Sequence, residues 1–156
     1  KSSVKRKIMA IDGSNVMRIR GSRATFSRLQ IAIKYCLDMK YDKIYVICDA
    51  NLRHKLDDVD QKFYEQMLAG NSDKIHIQQS PGGTIADLFI LNMANNFHKG
   101  GHFVKVMSND LFRDFVKEGA ENYNSEISDL IFKEGILLKF MFIKDPDDNE
   151  IFFEDK

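Results

Sequence analysis

The chain is poor in cysteine and has no excess of either charge, and both shortages narrow what it can be. Its two cysteines, Cys36 and Cys48, lie among apolar neighbours and read as core thiols of a reducing compartment. Two thiols are too few for a Cys-rich zinc module. Lysine plus arginine equals aspartate plus glutamate at 23 each, so no whole-molecule field steers a polyanion. Attraction to nucleic acid then has to come from local segregation of charge. No apolar run approaches the roughly 20 residues that cross a bilayer, so no membrane association is expected. The basic start, Lys1-Ser2-Ser3-Val4-Lys5-Arg6-Lys7, leads straight into a short strand with no signal-peptide core. The expected location is the cytoplasm. Opening on lysine, the chain reads as a piece of a longer protein whose flanking modules are missing.

Several nucleotide and hydrolase signatures are missing too. No Gly-x-Gly-x-x-Gly follows the first strand and no Gly-Lys-Ser/Thr loop exists, which removes the dinucleotide and P-loop cradles. A serine nucleophile lacks its Gly-x-Ser-x-Gly elbow. The histidines His54, His76, His98 and His102 show no metal-ligand spacing. Gly82-Gly83-Thr84 before a helix offers only a weak anion-binding signal.

The 156 residues, 44% hydrophobic and 29% charged, suit one soluble domain spanning 1–156. Strand and helix signals alternate along it. Ile8 to Ile11 is a short apolar run stopped by Asp12-Gly13-Ser14-Asn15, and a polar, Arg-rich loop follows through Ala24. Thr25 or Ser27 caps a helix whose inner face is Phe26, Leu29, Ile33, Cys36 and Leu37. Ile44 to Cys48 is a strand ending at Asp49-Ala50-Asn51, and Val59, Phe63 and Met67 recur at helical spacing up to Gly70. A brief strand at Lys74 to Ile77 precedes a long helix from Thr84, with Ile85, Leu88, Phe89, Met93 and Phe97 inward. Phe103 to Met107 is a further strand, followed by helical stretches around Phe115 and Leu130. Ile136 to Ile143 and an edge hairpin through Ile151-Phe152-Phe153 close the chain. Apolar strands separated by helices require parallel crossovers, so the expected fold is a three-layer α/β/α domain with a central, mainly parallel sheet.

Function in such sheets collects outside the carboxyl ends of the strands, and that is where the acids fall. Asp12, Asp49 and Asp110 each follow a strand, and Asp87 lies in the first turn of the long helix. Asp114 follows Asp110 by one helical turn, and Asn15 lies just past Asp12. Singly, these residues read as turn, cap or solvated helix charges, and Asp49 has the weakest functional case. Together they repel one another unless a cation intervenes. Magnesium, which takes oxygen ligands and keeps several waters, meets that need, with manganese as a substitute.

The segments Ile11-Asp12-Gly13-Ser14-Asn15-Val16 and Met107-Ser108-Asn109-Asp110-Leu111-Phe112-Arg113-Asp114 resemble two motifs of the regnase-like ribonucleases, in the NYN branch of the PIN-like superfamily. The similarity runs from Lys7 to about Phe153. It implies a magnesium-dependent endoribonuclease acting on single-stranded RNA, with Asp12, Asn15, Asp87, Asp110 and Asp114 in an acidic pocket. Asp12, Asp87, Asp110 and Asp114 are the expected metal ligands; Ser14, Ser108 and Asn109 are expected to orient them. One departure is plain: the family carries two adjacent acids where this chain has Ala86 before Asp87. The CCCH zinc finger of its animal members has no counterpart here.

An acidic pocket repels phosphate, so RNA needs cations beside it. Arg18, Arg20, Arg23 and Arg28 follow the first strand, and Arg53, His54 and Lys55 follow the second. These are the expected RNA contacts, against the plainer reading of solubilising loop charges. Arg113 reads equally well as a structural partner of an acid. Phe26 and Tyr64 are the candidates for partly exposed aromatics. Two rivals use the same acids: a binding module that has lost cleavage, which Ala86 favours, and a phosphatase or phosphoryl receiver. The second lacks its partner lysine and its Asp-x-Asp signature. Homo-oligomers or protein partners are not legible.

Overall fold

A computed structural model describes residues 4–20, 23–80 and 84–155. Strand β1 (Lys7–Asp12) leads into a short helix α1 (Gly13–Met17) and a small ribbon of β2 (Arg18–Arg20) and β3 (Arg23–Ala24). Helix α2 (Phe26–Asp38) and strand β4 (Lys43–Asp49) follow, then a 3-10 turn at Leu52–Lys55, helix α3 (Asp58–Ala69) and strand β5 (Ile75–Ser80). Helix α4 (Thr84–Lys99) crosses to β6 (Phe103–Met107). The chain continues through α5 (Arg113–Val116), α6 (Ser125–Phe132), β7 (Leu137–Lys144) and β8 (Glu150–Asp155).

Six strands form one sheet in the order β5-β4-β1-β6-β7-β8, parallel except for the antiparallel edge strand β8. The expected α/β/α architecture is what the chain adopts. Alternate residues of β1 feed the two cores: Met9 and Ile11 pack with α1, α2 and α3, while Ile8 and Ala10 pack with α4, α5 and α6. From β1 the chain winds outward through β4 to β5. It then returns on α4 to β6 on the other side of β1. The winding therefore reverses between β1 and β6, which opens a crevice at their carboxyl ends.

Several faces differ from the sequence reading. The Arg-rich segment after β1 is not all loop, because α1 and the β2–β3 ribbon are built into it. Thr25 makes no side-chain cap bond to α2. Asp60 of α3 accepts the Phe26 N–H instead, at 3.1 Å. Leu37 is exposed rather than inward, and α3 turns Val59 (62% exposed) and Phe63 outward while burying Tyr64. Phe26 and Tyr64 are thus core residues, not exposed aromatics.

Helix α4 shows the largest rotation. Ile85 (59% exposed), Leu88 and Phe89 face outward, and Ile90, Leu91 and Ala94 form the buried stripe. Apolar residues surround this helix on several sides, so its period does not single out a face. The buried stripe, extended back by one turn, lands on Asp87. The helix therefore turns a carboxylate, not an aliphatic group, toward the sheet at its first turn.

Candidate functional site: an acidic trough at the sheet reversal

The site begins with a glycine. A Cβ on Gly13 would stand 2.5 Å from Cys48 Sγ and 3.0 Å from Val46 Cγ1, so only glycine lets α1 start so close to β4. That close start makes Asp12 both the last residue of β1 and the N-cap of α1. Its Oδ1 accepts the Asn15 N–H at 3.3 Å, and its Oδ2 accepts the Ser108 hydroxyl at 2.9 Å. Ser108, fully buried after β6, also accepts the Asp110 N–H at 3.1 Å. One hydroxyl thereby ties the Asp12 carboxylate to the Asp110 backbone, so that the ends of β1 and β6 form a single wall of the trough.

Two amides brace this wall. Asn15 Oδ1 accepts the Asn109 N–H at 2.9 Å, while the Asn109 side chain pairs with both backbone groups of Phe140 on β7, at 2.9 and 3.0 Å. The Asn15 oxygen is engaged in joining two loops. Ser14 does the same on the other side, accepting the Asp49 N–H at 2.8 Å. Asp110 and Asp114 do not share a helix as their spacing suggested. Asp110 Oδ1 accepts the Phe112 N–H at 2.8 Å, Phe112 is left-handed (φ 51°), and α5 begins only at Arg113. Both acids still border one cavity of about 380 Å³ together with Asp87.

An adjoining cavity of about 430 Å³ is bordered by Asp12, Asp49, Asp87 and Asp110, with Asn15, Arg18 and Ala86 also on its wall. Asp49, which the sequence reading set aside, belongs to this group. The signal was present: a strand-ending acid on β4 must lie beside β1 once the two strands pair.

The electrostatics follow from this crowding. Burial raises the pKa of Asp12; the bonds from Ser108 and Asn15 and the charge of Arg18 counter it, and Asp110 adds to it. Asp87 is pushed up to about 7, by burial and then by Asp110, Asp12 and Asp114. No hydrogen-bond donor among the described residues meets its carboxylate. Among those residues no three His, Cys, Asp or Glu side chains form a ready-made metal cage. An all-oxygen donor set with excess negative charge suits a hydrated hard cation, which takes few direct carboxylates.

A family model described as the Zc3h12a-like ribonuclease NYN domain matches residues 4–150. The chain belongs to that family. No curated protein matched the chain. The motif resemblance is thus a family membership, and RNA is the substrate it implies. No helix among the described residues of this NYN domain is long and apolar enough to cross a membrane.

The cations of the NYN domain divide into two groups. Arg18, Arg23 and Lys55 border a narrow extension of the trough with Ser14 and Asp49. Arg53 and His54 are exposed on the same 3-10 turn as Lys55. Arg28 corrects the sequence reading. Its Nη2 bonds Glu150 Oε2 at 2.6 Å, its Nε reaches the same carboxylate, and its Nη1 donates to the Arg18 carbonyl at 2.9 Å. The guanidinium also lies over the Phe142 ring, 4.7 Å from its centroid. With its donors occupied, Arg28 clamps α2 to β8 and has little left for phosphate. Arg113 forms no side-chain ion pair or hydrogen bond among the described residues, contrary to its structural reading. The Arg20 side chain and the Gly82-Gly83-Thr84 anion signal lie outside what is described.

Proposed function

We propose that this NYN domain is a metal-dependent endoribonuclease that hydrolyses single-stranded RNA at the acidic trough. The observation that carries the reading is the gathering of Asp12, Asp49, Asp87 and Asp110 on one cavity. Burial, and then the charge gathered there, raises the proton affinity of Asp87 to the neutral range. Asp12 and Asp110 are the proposed magnesium ligands, with Asp87 and Asp114 completing the charge around the ion and its waters; manganese substitutes. When bound, the ion lowers the proton affinity of water and offsets charge developing on the phosphoryl oxygens.

The chain's own residues do the rest. Ser108 donates to Asp12 Oδ2, which counters the effect of burial on that carboxylate and fixes its orientation at the crevice. Asn15 and Asn109 fix the distance between the β1 and β6 loops. Asp87, opposite them, accepts a proton from the attacking water or orients it. Arg18, Arg23 and Lys55 take flanking phosphates and hold the strand against the repulsion of the acids.

The test uses a circular single-stranded RNA, which only an endonuclease linearises. We expect linear product with magnesium, none with chelator, and a loss of roughly 10²–10³-fold in rate for the near-isosteric Asp12→Asn. Cleavage that persists undiminished in chelator, or in the variant, would remove the metal assignment. The second reading, binding without cleavage, is favoured by Ala86, which stands on the wall of this cavity. Intact circles bound tightly by the wild-type chain would select it.

A further inference from the structure

The trough does not stop at the acids. The cavity bordered by Asp87, Asp110 and Asp114 also contains Leu111 and Arg113, and both residues border a third cavity of about 330 Å³ on the far side. Its walls there are Ile131 and Phe132 from the end of α6, and Leu137 and Lys139 from β7. Neighbouring cavities share wall residues from the arginine ribbon, past the carboxylates, to this groove, with Leu111 and Arg113 common to the last two.

The chemistry changes along that path. The first segment is polar and cationic and the middle is acidic. The last has an apolar lining with a cation contributed by each of two elements, Arg113 of α5 and Lys139 of β7. Neither side chain forms an ion pair or hydrogen bond among the described residues, so both are available to a ligand. Phe132 is 69% exposed at the last position of α6, an unfavourable location for an aromatic ring in water. A volume of about 330 Å³ falls at the lower end of the roughly 300–1,000 Å³ typical of small-ligand sites.

From these features we propose that the groove receives a base of the RNA strand whose backbone crosses the acids, with Phe132 as its stacking surface. The proposal rests on the ribonuclease reading and adds a subsite to it. A single-stranded nucleotide presents an apolar face and an anionic edge. Phe132, Ile131 and Leu137 meet the first, and Arg113 and Lys139 meet the phosphates on either side of it. The Arg113 plane can also lie against a base. A protein partner is the competing occupant, since Met141, Ile143, Ile151 and Phe153 leave an apolar face exposed on the neighbouring hairpin. The walls shared with the acidic cavity and the two cations without an ion pair among the described residues favour the nucleotide.

A four-way comparison tests this. Wild-type chain and Phe132→Ala are each titrated, in chelator, with a labelled single-stranded RNA decamer and with a fully abasic ribose-phosphate strand of the same length. The abasic strand keeps the charge and removes every ring. We expect Phe132→Ala to weaken RNA binding about tenfold and to leave abasic binding unchanged, with Phe132→Tyr restoring RNA affinity. Its melting temperature should hold, because so exposed a ring contributes little to the core. Equal losses on both strands, or none on either, would overturn the subsite. So would unchanged RNA binding accompanied by conversion of a dimer to monomer in sedimentation, which would assign the groove to protein contact. RNA binding with the expected coupling but no metal-dependent cleavage would remove the metal reading and keep the groove. Absence of RNA binding by the wild-type chain would remove both.

Discussion

The two walls of the trough are built on different terms. On the β1–β6 wall, Asp12 and Asp110 are tied through one buried serine, and the loops that carry them are tied through Asn15 and Asn109. On the α4 wall, Asp87 meets three other carboxylates and no donor among the described residues. The first wall has its hydrogen bonds supplied by the chain itself, and these partly counter the effect of burial on Asp12. On the second, burial and the neighbouring carboxylates push Asp87 up to about 7, and no group among the described residues offsets them. That difference, geometry braced on one side and charge unmet on the other, is what the proposed hydrated cation would resolve.

The sharpest way to break this contrast is to loosen the braced wall. Ser108→Ala leaves Asp12 Oδ2 and the Asp110 N–H without their shared partner. We expect cleavage to fall about 10–100-fold, with weaker metal affinity seen in a magnesium titration of the rate. Unchanged activity would mean that the serine serves only the fold.

A smaller effect is expected from the margin of the same wall. Arg18→Ala with Arg23→Ala should weaken RNA binding about tenfold and flatten its salt dependence by roughly two phosphate contacts. Arg28→Ala, from the same stretch of sequence, should instead lower the melting temperature and leave the salt slope alone, because Glu150 holds its guanidinium. If Arg28→Ala changed the salt slope as the paired variant does, the division between binding and clamping arginines would fail.

The smallest effect probes the unmet wall. Asp87 takes up its proton near pH 7 when folded, against an ordinary 3.8. A raised folded value means that the folded state holds the proton more tightly. This contribution to stability is complete below about pH 4 and is lost as the pH rises through 7. Metal-free chain should therefore melt a few degrees lower at pH 8 than at pH 6, and Asp87→Asn should remove that part of the slope. Magnesium at pH 8 should restore the wild-type melting point. A flat profile in chelator would show that the carboxylates are not crowded enough to matter.

Much of this was legible from local pattern. The acids at strand ends, the parallel crossovers and the edge hairpin all follow from short-range rules, because a strand's carboxyl end has one place to be in such a sheet. What stayed hidden was rotation and long-range pairing. Helix α4 carries apolar residues on nearly every side, so only packing decided that the Asp87-Ile90-Leu91-Ala94 stripe faces inward. Asp49 read as a turn because its relation to Asp12 needs the pairing of β4 with β1. The Arg28–Glu150 clamp joins positions 122 apart in the chain, beyond the reach of any local pattern. Tyr64 was misjudged for a related reason. On a helix carrying Val59, Phe63 and Met67, nothing in the spacing marks the tyrosine, whose hydroxyl receives a bond from Gln79, as the residue that goes inside.

The serine bridge has a consequence in time as well as in space. Ser108 and Asp12 lie 96 positions apart, and β6 docks beside β1 only after the intervening chain has been made. A growing polypeptide still attached to the ribosome carries Asp12 long before it carries the partner that completes the crevice. Until Ser108 has been made and β6 has docked, the Asp12 carboxylate lacks the hydroxyl that steadies it.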